Sequence, residues 1–149
     1  MNRTPSDEKS PRSYTLLVVD DESGLRETFR LLFNYEYRVI CAESVDVAIE
    51  HLEREGADAI IMDYNMPGKN GLEGLREIRE LDPKVPVIML TAYASIETSE
   101  AAKEAGANAC MKKPFSLIDI RSAVRDYMTE SNLLREREAN ARQLDPQLN

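Results

Sequence analysis

Several scarcities bound this chain before any pattern in it is read. One histidine, His51, serves 149 residues. It stands among charged residues with no histidine or cysteine at ligand spacing, which speaks against a zinc site and leaves a solvated surface role. The two cysteines, Cys41 and Cys110, are too few for a disulfide framework. Both sit in apolar, β-rich runs and read as small buried hydrophobes. The six glycines form neither a P-loop nor a GxGxxG pattern, so no bound nucleotide is expected. No apolar run approaches the length of a membrane span, and the start lacks the apolar core of a signal peptide. The chain therefore reads as cytoplasmic. Positive charge is also short: 19 basic residues face 27 acidic ones, for a net charge of -8. Such a balance argues against direct nucleic-acid binding. Residues 1–13 are polar, carry Pro5 and Pro11, and read as a disordered arm.

What is present is an alternation. Short apolar runs at residues 14–19, 37–42, 59–62, 85–90 and 109–111 read as strands. Between and after them, apolar residues recur at helical spacing. Leu25, Phe29, Leu32 and Phe33 follow Ser23, a candidate N-cap. Val45, Ala48, Ile49 and Leu52 mark a helix over residues 44–55, closed by Gly56. Further helices are expected near 72–81, where Pro83 ends the pattern, at 96–105, and from about Ser116 onward. Five βα units with short connections imply a parallel sheet covered on both faces. Right-handed crossovers leave few topologies. The expected fold is α/β: a flavodoxin-like, doubly wound (βα)5 sheet with strand order 2-1-3-4-5.

In such a sheet every strand delivers its last residues to one face, where ligands bind. The first strand brings Asp20 and Asp21, the third Asp63, the fourth Thr91 and the fifth Lys113. Three carboxylates brought together repel unless a cation offsets them. Lys113 offsets one charge, and Mg²⁺ would offset more. Mg²⁺ prefers oxygen ligands and is usually held by one or two carboxylates together with a phosphate. The inventory fits a small site for Mg²⁺ and a phosphoryl group, with Asp63 as nucleophile.

Four motifs then stand in order on these strands: VVDDE (residues 18–22), IIMDYNMPGKNG (60–71), LTAYAS (90–95) and KKPF (112–115). Together they resemble the receiver domain of bacterial two-component response regulators, over residues 14–128. The resemblance implies that Asp63 accepts a phosphoryl group from a sensor histidine kinase or a phosphotransfer protein. It implies that Asp21 ligates Mg²⁺ directly, Asp20 largely through water, and Asn65 through its backbone carbonyl. Thr91 would bind a phosphoryl oxygen and Lys113 would pair with the phosphoaspartate. The Lys113–Pro114 peptide is often cis in the family. Output would be a population shift of the surface formed by the fourth helix, fifth strand and fifth helix.

The chain departs from the family at Cys110, where receivers usually carry an aromatic partner for the threonine. Switching would then rest on loop movement alone, or Cys110 is a plain core residue and signalling is unaffected. Tyr93 borders the phosphorylation site in the family. It would lie over the phosphoryl group and exclude water, or else point outward to a partner. The stretch from Thr91 to Thr98 looks most like receivers of nitrogen-regulation-type activators. Those carry an ATPase and a DNA-binding domain, so this chain is a stand-alone regulator or a fragment. Residues 129–149 continue the fifth helix as a charged extension or linker, to about Gln143. Their heptad pattern decays at Ser131 and Glu138 and leaves a homodimer stalk, a linker or a solvated helix end open. Two other readings compete. A Mg²⁺-dependent phosphohydrolase would place an acid two residues after the nucleophile, where Asn65 stands. A non-phosphorylated interaction module would not need the acidic set with Thr91 and Lys113.

Overall fold

The computed structural model describes residues 14–92 and 95–144. The expected arm at residues 1–13 and Tyr93 lie outside the described residues. The elements follow in strict alternation: β1 (Thr15–Val19), α1 (Ser23–Phe33), β2 (Arg38–Ala42), α2 (Val45–Arg54), β3 (Ala59–Asp63), α3 (Gly71–Leu81), β4 (Val87–Thr91), α4 (Ile96–Glu104), β5 (Ala109–Lys112) and α5 (Leu117–Leu144). The strands form one parallel sheet in the order β2-β1-β3-β4-β5. In its register Val19 stands beside Met62, and Asp63 beside Leu90.

Every residue of β3 and β4 is buried. That is why these strands read as continuous apolar runs rather than alternating ones. Their side chains still divide between two cores, because successive residues point to opposite faces. Ile60, Met62 and Met89 pack with Val45, Ala48, Leu75, Ile78 and Ala102 of α2, α3 and α4. Ile61, Ile88 and Leu90 pack with Phe29, Phe33, Ile120, Val124 and Met128 of α1 and α5. Phe29 stacks on Phe33 and on Phe115, with ring centroids 6.3 and 5.3 Å apart. Each fully buried side chain of this size contributes about 1.5–3 kcal/mol.

The helix starts follow capping chemistry. Ser44, Asn70 and Ser95 accept hydrogen bonds from the backbone N–H of Val47, Glu73 and Thr98. α1 differs from expectation: Ser23 is its first helical residue, and Glu22 occupies the cap position without a side-chain bond. The cause is Asp20, whose Oδ1 accepts the Glu22 N–H at 2.9 Å and fixes the chain one residue earlier. The cysteines also differ, since Cys41 and Cys110 are free thiols and only half-buried. They lie on the edge strands β2 and β5, where helices cover less of the sheet. His51 is half-buried too, with Nδ1 3.1 Å from Arg54 Nη2.

At the last turn of α3, Arg79 ties two connections together, the α3–β4 and α4–β5 turns. Its guanidinium donates to the carbonyls of Gly106, Asp82 and Val85 and to Asn108 Oδ1, at 2.6–3.2 Å. Asn108 Oδ1 also accepts the Val87 N–H at 3.0 Å. The turn between α4 and β5 is thereby bound to the start of β4. α5 runs 28 residues to Leu144, within a residue of the expected end. No helix among the described residues is long and apolar enough to cross a membrane.

Candidate phosphoacceptor site

Among the described residues, the polar or charged side chains that are buried are Asp20, Asp63 and Thr91. All three stand at C-terminal strand ends: Asp20 just after β1, Asp63 closing β3 and Thr91 closing β4. Burying a carboxylate is costly unless it is paired or hydrogen-bonded. Finding this cost concentrated at one edge of an otherwise apolar sheet marks the site.

Oxygens of Asp20, Asp21 and Asp63 lie within 4.8 Å of one another. Lys113, held after β5 by its N–H bond to the Thr91 carbonyl at 2.8 Å, reaches across them. Its Nζ is 3.2 Å from Asp63 Oδ1 and 3.6 Å from Asp20 Oδ2. One ammonium therefore pairs with two of the three carboxylates. The pKa of Asp20 is raised, chiefly by burial, with Asp63 and Asp21 adding repulsion; the Glu22 N–H and Lys113 offset part of this. Asp20 Oδ2 is buried and receives no hydrogen bond. A buried anionic acceptor without a donor, in an all-oxygen set, is the environment a hard divalent cation satisfies. The residues present thus fit Mg²⁺.

The loop after β3 is shaped by close approach. A Cβ on Gly71 would lie 2.4 Å from the Asp63 carbonyl oxygen and 2.8 Å from Tyr64 Cα. Only glycine lets α3 start against the end of β3. Gly68, at φ +75°, takes the left-handed turn that leads there. The Asn65 N–H donates to Asp63 Oδ1 at 3.3 Å. The Asn65 side chain turns to Thr91, whose hydroxyl donates to Asn65 Oδ1 at 3.2 Å. The structure therefore brings Asp20, Asp21, Asp63 and Lys113 together, with Thr91 and Asn65 joined beside them. The Lys113–Pro114 peptide is cis. Cys110 lies opposite Met89 in the sheet and packs against the core beneath α2, α3 and α4.

Two residues support the site in ways the sequence does not show. Arg26 donates from Nη1 to the Asp20 carbonyl at 2.8 Å and so anchors the backbone of the first acidic residue. In the sequence it is one more charge on an amphipathic helix. The packing role of Gly71 is equally invisible, because a glycine at a helix start is ordinary.

Likeness to known proteins bears on the chain as a whole. The profile of the response regulator receiver domain matches residues 16–125. Sporulation initiation phosphotransferase F of Bacillus subtilis (strain 168) is 33% identical over 114 residues, which are 76% of this chain and 92% of that protein. The transcriptional regulatory protein GlrR of Escherichia coli (strain K12) is 35% identical over 117 residues, 78% of this chain but only 26% of that protein. The crystal structure of a response regulator receiver domain protein from Clostridium thermocellum superimposes with a TM-score of 0.76 at 27% identity, covering 81% of this chain and 98% of that one.

Proposed function

The chain belongs to the response regulator receiver domain family of two-component systems, and from that premise we propose that Asp63 is the phosphoacceptor of a Mg²⁺-dependent phosphorelay. The carrying observation is the buried acidic set within 4.8 Å, with one lysine 3.2 Å from Asp63. The donor is a phosphohistidine of a sensor kinase or of a phosphotransfer protein. Its N–P bond breaks as a bond forms between phosphorus and an Asp63 oxygen, and the imidazole leaves with the electron pair. Lys113 and the Asn65 N–H both fall on Oδ1, which leaves Oδ2 as the attacking oxygen.

Phosphoryl transfer asks the protein mainly for position and for charge stabilisation. Asp20 and Asp21 with Asp63, and the Asn65 carbonyl, would hold Mg²⁺, which when bound neutralises the carboxylates and the phosphoryl oxygens. Lys113 then stays beside the phosphoaspartate as its fixed counter-charge. Thr91 gives up Asn65 and donates its hydroxyl to a phosphoryl oxygen, drawing on the loop before α4. The output is a shift of the α4–β5–α5 surface toward a partner-binding form. Asn65 has no proton to lend as a general acid and its Oδ1 is occupied by Thr91, which favours a receiver over a turnover phosphohydrolase. The chain acts as a signalling domain, with self-phosphorylation and autodephosphorylation as its own chemistry.

The test is covalent. Acetyl phosphate with Mg²⁺ is expected to add one acid-labile phosphoryl group to the wild type and none to Asp63→Asn, read by intact mass. Undiminished labelling of Asp63→Asn would reject the assignment.

A further inference from the structure

The last roughly four turns of α5 lie beyond the receiver core. Met128 is buried, Ser131 and Asn132 are half-buried, and residues 133–143 are exposed. An open groove, lined by Pro86, Tyr127, Ser131 and Leu134 among others, separates this segment from the start of β4. Apolar packing therefore does little to hold it. Two ion pairs far apart in sequence do. Arg135 Nη1 is 2.8 Å from Asp58 Oδ1, and Lys84 Nζ is 2.8 Å from Glu138 Oε1.

Both anchors on the receiver side are built in advance. Asp58, just before β3, spends its other oxygen on the Thr15 N–H at 2.7 Å. Lys84, just before β4, sits in a turn where Asp82 Oδ1 accepts the N–H groups of Lys84 and Val85 at 2.9 and 3.0 Å. Arg79 fixes the same turn through the Val85 carbonyl at 2.6 Å. The body thus presents a held carboxylate at Asp58 and, on a fixed turn, the backbone from which the Lys84 ammonium reaches out. The helix presents a guanidinium and a carboxylate one turn apart, in the opposite order of charge.

The register of the helix is set by Ile120, Val124 and Met128, which are buried in the receiver core. In that register each charge of the extension meets its opposite on the body.

We propose that these four side chains form a two-point charge latch that docks the α5 extension on the edge of the sheet opposite Asp63. The latch sets the direction in which the chain leaves the receiver. Beyond Met128 the described residues of the helix offer no buried apolar face to stabilise it, and most helical stability in proteins comes from such packing, so the released segment frays from its C-terminus, and the extension has two states. Because exposed ion pairs are weak, the released state is within reach of salt or of a competing charged surface. The inference is independent of the phosphoryl chemistry.

The test is a double-mutant cycle on Lys84→Glu and Glu138→Lys, read by amide hydrogen exchange in residues 136–144, with the amides of β3 as reference. This pair is chosen because Asp58 also supports β1. Exchange in Lys84→Glu is expected to rise about fivefold at low salt, the effect of turning a modest surface attraction into a repulsion. The double variant is expected to return toward the wild type, even if Lys84→Glu loosens the whole domain. At about 1 M salt, where screening acts within about 3 Å, the difference should shrink. Equal exchange in wild type and Lys84→Glu, or a double variant that stays as fast as the single one, would overturn the latch.

Discussion

Replacing Asp20 by asparagine should stabilise the metal-free protein and remove most of its response to Mg²⁺. Asp20 is 1% exposed, and its Oδ2 lacks a donor. At the 4.8 Å limit that encloses the acidic oxygens, repulsion from Asp63 is about 3.5 kcal/mol at an effective dielectric constant of about 20. Attraction to Lys113 at 3.6 Å is about 4.6 kcal/mol on the same scale. Asp21 is exposed, so water screens it and it adds only about 1 kcal/mol of repulsion. These pair energies nearly cancel, and the desolvation of the Asp20 carboxylate is left uncompensated. Asparagine retains an Oδ1 acceptor for the Glu22 N–H, and Lys113 keeps Asp63 at 3.2 Å. The expected gain is about 1–2 kcal/mol, a rise in Tm of roughly 3–8 °C for a domain of this size. In Mg²⁺ at a hundred times Kd the wild type gains about 2.7 kcal/mol, while the variant, short of one ligand, gains much less. The order of the two proteins therefore inverts. Thermal melts followed by circular dichroism, in chelator and in saturating Mg²⁺, read both halves. Asp21→Ala should likewise respond less to Mg²⁺. An Asp20→Asn protein that melts below the wild type in chelator, or that shifts equally with Mg²⁺, would refute the reasoning.

Two further outcomes follow from the same site. Because the pKa of Asp20 is raised above 3.8 in the folded state, the folded protein binds that proton more tightly than the unfolded chain. Relief is complete below 3.8 and is lost as pH rises through the folded value. The stability gap between metal-free wild type and Asp20→Asn should therefore close as pH falls through that window; a urea midpoint difference constant with pH would contradict it. Gly71→Ala should cost about 1–3 kcal/mol by overpacking. The added methyl meets the Asp63 carbonyl and Tyr64 Cα, which are backbone and cannot swing away. Urea denaturation at an unchanged midpoint would show that α3 yields at no cost.

The site was legible because parallel strands export their last residues to one edge. An apolar run that stops at Asp20, Asp63 or Thr91 states both a strand and its exit. Burial on both faces kept β3 and β4 nearly free of polar residues, so those stops were sharp. Ser23 misled because serine is a good cap in isolation, whereas the cap position went to Glu22 once Asp20 had claimed its N–H. Cys41 and Cys110 read as buried because their runs are apolar, but edge strands are only half covered. The extension shows a different blindness. A decaying heptad directs attention along the helix, while its docking partners Asp58 and Lys84 stand 77 and 54 residues away. No periodicity encodes pairs at that distance.

The arginine clamp makes α4 mechanically unequal along its length. Ala102 is the helix's one buried residue, and just beyond the helix end Arg79 grips the Gly106 carbonyl with two nitrogens. At the other end, Ile96 is 77% exposed and Ser95 bonds within its own turn. Such a helix is a lever with a fixed fulcrum and a free tip, and the tip lies on the side of Thr91. A pull at the tip would rotate the helix about Gly106 and leave the α4–β5 turn still, and because the arc grows with distance from that turn, Ile96 would travel further than Ala102.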